Sequence, residues 1–138
     1  MSVNILRFII PKSKVEYINR DSTVRQALEK MLYHKYTALP IIDGEGRYVG
    51  TLSKDDLFRY LLASGDFDRF ALEEISVMEL VDESYSKPLY QNATLADLIE
   101  QVKEHNFVPV VDDRHCFIGL ILRRDVLNYL LKFYKDDN

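Results

Sequence analysis

Apolar residues recur at helical spacing in two stretches of the chain. One stretch begins at Val24 and the other at Leu95, and each continues with the i, i+3, i+4 pattern of an amphipathic helix. Each is followed by two short apolar runs separated by a polar turn, and then by another amphipathic segment. With a short lead-in strand before each unit, the pattern predicts strand, helix, strand, strand and helix, twice along the chain.

Turn and cap residues sharpen the predicted elements of the first half. A hairpin is predicted over residues 38–52, with Asp43-Gly44-Glu45-Gly46 as its turn, because glycine accepts the positive φ of tight turns. Ser53 is the predicted N-cap of a helix over residues 54–62, and Gly65 is placed to end that helix. The remaining predicted elements are lead-in strands near 15–18 and 89–91, a hairpin turn at 112–115, and a last helix over 123–133.

The two halves are copies of one another. Pro40 and Pro109 are 69 positions apart, and Gly50 and Gly119 share that offset, as do Asp56 and Asp125. A shared register at three landmarks indicates an internal repeat that is too short to bury its apolar face alone. We predict repeat one at about 1–64, a linker at about 65–75 and repeat two at about 76–138, forming one α/β (α+β) module.

Composition and charge exclude several classes of protein. Hydrophobic residues make up 47% of the 138 residues, which is typical of a globular domain, and the net charge of −4 comes without the basic stripe of a nucleic-acid binder. No apolar run approaches the roughly 20 residues of a membrane span. The single cysteine, Cys116, excludes an internal disulfide and favours a reducing cytoplasm. We therefore expect a cytoplasmic protein that binds neither nucleic acid nor membrane.

The repeated residues resemble those of a known family. Pro-hydrophobic-hydrophobic-Asp, a turn, and then Gly50-Thr51-Leu52-Ser53-Lys54-Asp55-Asp56 is similar to the signature of CBS repeats. The resemblance covers nearly the whole chain, twice, and implies two β-α-β-β-α repeats packed about a pseudo-twofold axis in a Bateman module. It also implies two equivalent clefts, regulatory rather than catalytic function, and dimerisation.

A narrower resemblance is to stand-alone CBS proteins of Gram-positive bacteria that bind cyclic di-AMP. It is carried by Lys14-Val15 before the first strand, by Tyr36-Thr37-Ala38-Leu39-Pro40 in the second strand, and by Arg123-Arg124 at the last helix. The chain departs from that pattern at Glu16, where a small residue is expected to face the base, and at Leu122, which replaces Ser or Thr.

The resemblance assigns residues to two nucleotide clefts, named cleft A and cleft B. In each, apolar residues would wall the adenine, the helix aspartate would accept from ribose, and the helix N-terminus with its basic side chains would hold phosphate. Cleft A takes Lys14, Val15, Glu16, Tyr36, Thr37, Ala38, Ile121, Leu122, Arg123, Arg124 and Asp125. Cleft B takes Leu89, Tyr90, Phe107, Val108, Thr51, Leu52, Ser53, Lys54 and Asp56.

Bland alternatives remain open for several of these side chains. Asp56 and Asp125 also suit the positive end of a helix dipole, and Arg123-Arg124 also suits a solvated surface. Glu16 is a surface carboxylate, an acceptor for the base edge, or a deterrent to anions. The three histidines lack metal-ligand spacing, and His34 and His105 near helix ends favour a capping role.

The function expected from these residues is regulation by a bound adenine nucleotide. Cyclic di-AMP in cleft A is the first hypothesis, with signalling to a separate effector protein and a homodimeric assembly. AMP, ADP or ATP in cleft B and a ligand-free protein-interaction module are the alternatives. No cofactor or metal is expected, and no nucleophile with a matching base indicates an enzyme.

Overall fold

A computed structural model describes residues 3–34, 36–65, 68–81 and 87–137, and it is a mixed α/β fold with two sheets. This confirms the predicted fold class. The chain divides into two compact units: a central unit, Glu16–Tyr85, and a terminal unit, Met1–Val15 together with Ser86–Asn138. Residues 66 and 67 of the predicted linker lie outside the described residues.

Among its described residues, the central unit has three α-helices and a three-stranded sheet in the order β2-β3-β4, with β2 parallel and β4 antiparallel to β3. Its buried cluster includes Ala27 and Met31 on α1, Leu39 and Ile41 on β3, and Leu52 on β4. Apolar residues of the helices and of the strands therefore form one core in this unit. The elements are β2 (Ile18–Asn19), α1 (Val24–His34), β3 (Ala38–Ile42), β4 (Tyr48–Ser53), α2 (Lys54–Ser64) and α3 (Arg69–Leu72).

The terminal unit has a four-stranded sheet in the order β1-β7-β6-β5. Its own buried cluster combines Leu98 on α4, Val108 and Val110 on β6, Ile121 on β7 and Val126 on α5. The elements are β1 (Ile10–Pro11), β5 (Leu89–Tyr90), α4 (Leu95–Val102), β6 (Phe107–Val111), β7 (Phe117–Leu122) and α5 (Arg123–Asp137).

The two hairpins repeat each other residue by residue. Leu39 pairs with Leu52 in one and Val108 with Ile121 in the other, and both hairpins shift register one step before the turn. The left-handed turn residue of the first is Gly46 at φ 83°. The matching residue of the second is His115 at φ 67°, a conformation that costs a residue with a side chain more than it costs glycine.

Helix ends follow the predicted capping chemistry. Ser53 caps α2 through a complete capping box with Asp56, and Gly65 ends the helix in the left-handed conformation at φ 69°. The second capping box, Thr94 with Asp97, begins α4. The N-cap and C-cap predicted for the helix after the first hairpin are both confirmed, and α2 and α5 extend somewhat beyond their predicted ends.

The segment that precedes each lead-in strand packs in the unit that contains the other repeat's helices. Ile5 and Phe8 lie in the core of the terminal unit, and Ile10 pairs with Leu120. Val77 lies in the core of the central unit, where Thr23 and Ser76 form an isolated bridge. The strand at Ile10–Pro11 was not among the predicted elements. The repeat boundaries stay a prediction, because they describe sequence register rather than packing.

Candidate functional site

The N-terminus of α2 carries the central-unit residues of cleft B. Asp56 donates its backbone N–H to Ser53 Oγ at 3.1 Å, and Ser53 donates its backbone N–H to Asp56 Oδ2 at 2.9 Å. The other carboxylate oxygen of Asp56 accepts from Arg59 Nη2 at 3.4 Å, and Asp56 is only 3% exposed. Thr51 and Leu52 are buried, whereas Lys54 is exposed. The hydroxyl and the carboxylate assigned to a ligand are therefore already held by the helix cap.

The N-terminus of α5 carries the corresponding terminal-unit residues of cleft A and has a different chemistry. Leu122 stands where Ser53 stands in the first repeat and has no oxygen to accept from the first-turn N–H groups of α5. Arg124 is highly exposed and its Nε lies 3.5 Å from Asp125 Oδ1. The Asp125 side chain is 35% exposed. This helix start therefore presents a cation, a carboxylate and backbone donors.

Arg123 turns away from Arg124. Its Nε donates to the backbone carbonyl of Val102 at 2.7 Å, at the C-terminal end of α4, and its backbone N–H donates to Asn106 O at 2.8 Å. A cation at a helix C-terminus is stabilised by the carbonyls there. Arg123 therefore links α5 to α4, and Arg124 is the arginine of the pair that remains directed to solvent.

A cavity of about 460 Å³ lies beside this helix start, within the terminal unit. Both arginines line it, together with exposed apolar side chains of α5. The full lining is Asn106, Leu122, Arg123, Arg124, Leu127, Asn128 and Leu131. The lining therefore combines two arginines with apolar side chains.

Lys14 and Val15 form the end of the lead-in in the same unit. A 3-10 turn over Lys12–Lys14 packs against β7, and the backbone N–H of Val15 closes the turn on Lys12 O at 3.3 Å. Lys14 is exposed and Val15 is half-buried, whereas Ile121 on β7 is fully buried. The structure thus brings Lys14 and Val15 to the strand that leads into Arg123 and Arg124.

The central-unit residues of cleft A surround the end of α1. Glu16 pairs with Lys30 Nζ at 3.0 Å and with His34 Nε2 at 3.6 Å. The hydrogen bond from Lys30 holds the pKa of the Glu16 carboxyl below its ordinary value. Tyr36 stacks on the His34 ring, with centroids 5.2 Å apart and planes 12° apart. Glu16 is therefore a paired carboxylate, and Lys30 compensates its charge.

Thr37 and Ala38 continue from Tyr36 into β3. The carbonyl of Thr37 accepts from the backbone N–H of Lys54 at 2.9 Å, which matches the bond between Asn106 and Arg123 in the other unit. Thr37 is exposed and Ala38 is half-buried. In each unit, the backbone carbonyl just before the first strand of the hairpin therefore accepts from the first N–H of the helix that follows the hairpin.

The terminal-unit residues of cleft B are mainly strand residues. Leu89 pairs in parallel with Val110, and Val108 is buried in the core. Tyr90 is exposed, and its hydroxyl lies 3.4 Å from His115 Nδ1 in the hairpin turn. Phe107, half-buried, begins β6. This set therefore contains one exposed phenol, two half-buried apolar side chains and one core residue.

The comparison with known families matches both halves of the chain. The model of the CBS domain matches residues 9–63 and again residues 87–132. The chain belongs to the CBS-domain family. The resemblance drawn from the Gly-to-Asp signature is therefore confirmed, and the internal repeat corresponds to two CBS domains.

Several proteins similar to this CBS pair are known. Cyclic di-AMP receptor B of Bacillus subtilis is 24% identical over 138 residues, covering 100% of this chain and 93% of the relative. The crystal structure of the Listeria monocytogenes CbpB protein in complex with c-di-AMP has a TM-score of 0.84 at 21% identity, covering 96% and 98% of the two chains. The structure of CBSX2 in complex with AMP has a TM-score of 0.76 at 23% identity, covering 95% and 98%.

Curated relatives of this CBS pair differ in length. The chain spans only 50% of the length of an uncharacterized protein of Methanocaldococcus jannaschii that is 29% identical to it over 143 residues. The two structural likenesses reported above lie below 25% identity and show the fold. Among the described helices of this CBS pair, none is both long and apolar enough to cross a membrane. Within the described part of the chain, no three His, Cys, Asp or Glu side chains are grouped to hold a metal ion.

Three side chains contact candidate-site residues in ways that the sequence analysis did not predict. Arg59 lies three residues after Asp56, so helical spacing contains the signal for that pair. Lys30 and His34 are four residues apart on α1, which places them on one face. Their shared contact with Glu16 depends on how the lead-in crosses that face, and no local spacing encodes it.

Proposed function

We propose that this CBS pair is a regulatory protein that binds an adenine nucleotide, cyclic di-AMP in the first instance, through the residues of cleft A. The bound state is passed to a separate effector protein, and the chain carries out no catalytic step. A cytoplasmic location remains a prediction from the sequence. Two of the similar proteins carry cyclic di-AMP in their names or in their crystals, and both span this chain almost completely.

The start of α5 is the observation that carries the proposal. Arg124 is 73% exposed and lines a cavity that apolar side chains also line, and Leu122 at the N-cap position offers the first-turn donors of α5 no side-chain acceptor. A phosphate gains charge-assisted hydrogen bonds from such a guanidinium and from helix N–H groups. At the start of α2, by contrast, the capping box occupies the equivalent groups. The asymmetry favours cleft A over cleft B for an anionic ligand.

Isothermal titration calorimetry with cyclic di-AMP, AMP, ADP and ATP tests this proposal. Arg124→Ala should weaken cyclic di-AMP binding about tenfold or more, because hydrogen bonds to charged groups are worth about 1.5–3 kcal/mol. Lys132→Ala is the matched control, since it removes another exposed cation from the same helix at a site outside the cavity. An unchanged affinity in Arg124→Ala contradicts the assignment of cleft A.

AMP, ADP or ATP in cleft B is the second candidate function. A similar protein, CBSX2, was crystallised with AMP, and Lys54 at the start of α2 is exposed. Binding there requires the Asp56 carboxylate to use its remaining lone pairs for ribose, since Ser53 and Arg59 take the others. Lys54→Ala should therefore weaken AMP and leave cyclic di-AMP unchanged. A panel without any binding supports the ligand-free interaction module instead.

We propose homodimerisation through the exposed apolar residues of α2. Phe58 and Leu62 are 63% and 65% exposed. Their repeat equivalents on α5, Leu127 and Leu131, line the cavity assigned to the ligand and are left out of this interface. Packing the α2 pair against a second copy would remove two large apolar side chains from water. Analytical ultracentrifugation should find a dimer that Phe58→Glu converts to monomer.

A further inference from the structure

The cavity beside the start of α5 has two asparagines in its lining, Asn106 and Asn128. Asn106 directly precedes β6, and Asn128 is four residues beyond Arg124 on α5, so the latter two side chains are neighbours on that helix. Both asparagines are exposed, and in the described part of the chain no hydrogen bond engages either side-chain amide. Both amides are therefore open to a ligand.

Among the described residues that line this cavity, the asparagines supply the side-chain hydrogen-bond acceptors. Arginine side chains only donate, and leucine side chains neither donate nor accept. The nearby backbone carbonyls of Val102 and Asn106 already accept from Arg123, at 2.7 and 2.8 Å. An amino group that enters the cavity therefore meets its side-chain acceptor at Asn106 or Asn128.

A carboxamide matches adenine because it presents an acceptor beside a donor. The exocyclic amine of adenine donates and the ring nitrogens on either side of it accept, so one asparagine can form two hydrogen bonds with the edge of the base. Arg124, which binds phosphate in the proposed function, offers the amine no acceptor. Recognition of the base and of the phosphate therefore requires different side chains.

The two asparagines are not shared by both repeats. At the 69-residue offset, Asn106 corresponds to Thr37 and Asn128 to Arg59. Arg59 pairs with Asp56 at 3.4 Å, which a neutral asparagine does not reproduce as an ion pair. Two positions of the cavity lining therefore carry carboxamides in the second repeat and other residue types in the first.

We propose that Asn106 and Asn128 are specificity-determining residues that select adenine, by accepting from its exocyclic amine and donating to a ring nitrogen. The proposal rests on the proposed function and deepens it, because it names the side chains that distinguish the base. The cavity volume of about 460 Å³ lies within the range of roughly 300–1,000 Å³ that small-molecule sites occupy.

Calorimetry with two ligands tests the proposal. One is cyclic di-AMP, and the other is the cyclic dinucleotide in which unsubstituted purine replaces both adenines, so that only the exocyclic amines are missing. The wild type should bind cyclic di-AMP roughly fivefold more tightly, which is the effect of one net hydrogen bond. Asn106→Ala and Asn128→Ala should each lower this ratio, and the double variant should bind both ligands equally.

Controls separate base selection from phosphate binding and from folding. Arg124→Ala should weaken both ligands by the same factor and keep their ratio. Asn92→Ala removes an exposed asparagine of the same unit outside the cavity and should change neither affinity. The asparagine variants should fold, because alanine is the stronger helix former within α5 and because Asn106→Ala keeps the backbone carbonyl that accepts from Arg123. Circular dichroism checks this.

The ratio of the two affinities decides the outcome. A double variant that keeps the wild-type ratio overturns the proposal, and a single variant that keeps it overturns the role of that asparagine. A wild type that binds both ligands equally also overturns the proposal and leaves nucleotide binding intact. An absence of binding to cyclic di-AMP, AMP, ADP and ATP overturns the proposed function, and the role of the asparagines falls with it.

Discussion

Replacing Ser53 by alanine tests how much the buried capping box at the start of α2 stabilises the fold, compared with the exposed capping box at the start of α4. In the native chain Ser53 Oγ accepts from the backbone N–H of Asp56 at 3.1 Å, and the residues are 6% and 3% exposed. The chain contains a matched box in Thr94, whose Oγ1 accepts from the Asp97 N–H at the same distance, but both residues of this box are exposed. Ser53→Ala and Thr94→Ala therefore remove the same bond from a buried and from a solvated site.

The expected loss of unfolding free energy depends on whether water can replace the lost hydroxyl oxygen. Removing an N-cap costs about 0.5–2 kcal/mol of unfolding free energy. At Thr94 water can reach the freed N–H, so we expect a cost near the lower end, about 0.5–1 kcal/mol. At Ser53 the freed N–H of Asp56 is buried, and an unsatisfied buried donor costs about 1–3 kcal/mol. Ser53→Ala should thus cost about 2 kcal/mol.

Urea unfolding followed by far-UV circular dichroism measures both costs. Because the chain has 138 residues, about 2 kcal/mol corresponds to a Tm lowered by roughly 6 °C. An unchanged m-value shows that the variants differ in stability and not in the compactness of the denatured state. A Thr94→Ala cost equal to or larger than that of Ser53→Ala would refute the argument from burial.

Three further predictions concern pH, backbone approach and ligand. N–H groups of Arg47 and Glu45 hold the pKa of the Asp43 carboxyl below its ordinary value of 3.8, so its stabilisation is present above that pH and is lost as the pH falls through the lower folded pKa. Acid titration of Asp43→Asn should show a deficit in unfolding free energy at pH 7 that shrinks below pH 3.8 and disappears only below the folded pKa. Gly119→Ala should lower the unfolding free energy by about 2 kcal/mol or more in urea titrations, because a Cβ would overlap the Ile10 carbonyl oxygen, whereas Gly44→Ala faces open space and should be nearly neutral. Cyclic di-AMP at 100 times its dissociation constant should stabilise the fold by about 2.7 kcal/mol, and a thermal shift of zero contradicts binding.

The repeated elements were predictable because their signals are local. The hairpin at 38–53, the cap at Ser53 and the stop at Gly65 each depend on residues close in sequence, and the structure has all three. The 69-residue offset then carried the same interpretation to the second half. The structure repeats the hairpin there, and it adds a register shift in both hairpins that the sequence did not predict. Periodicity and turn chemistry therefore contain most of the fold.

The packing of the lead-in segments was not predictable from local pattern. Ile10–Pro11 is a two-residue strand that exists only because β7 lies beside it, and its approach depends on Gly119 having no Cβ. The segment ending at Val77 similarly depends on backbone bonds with the residues before α1, including the Val77 N–H donating to Ser22 O at 3.0 Å. Such contacts join residues more than fifty positions apart and leave no periodic signal.

The candidate-site residues likewise have features that the local sequence predicts and others that it does not. The resemblance to CBS repeats named the first-turn aspartates and the arginine pair, but it could not show that Asp56 is enclosed by its cap and that the Asp125 side chain is 35% exposed. One substitution within the repeat, Leu122 for Ser53, accounts for much of this difference, because a helix start without a side-chain acceptor leaves its donors to whatever anion approaches. The departure from the family pattern at Leu122 therefore favours the proposed anion at α5 over one at α2, since Ser53 already accepts from a first-turn N–H group of α2.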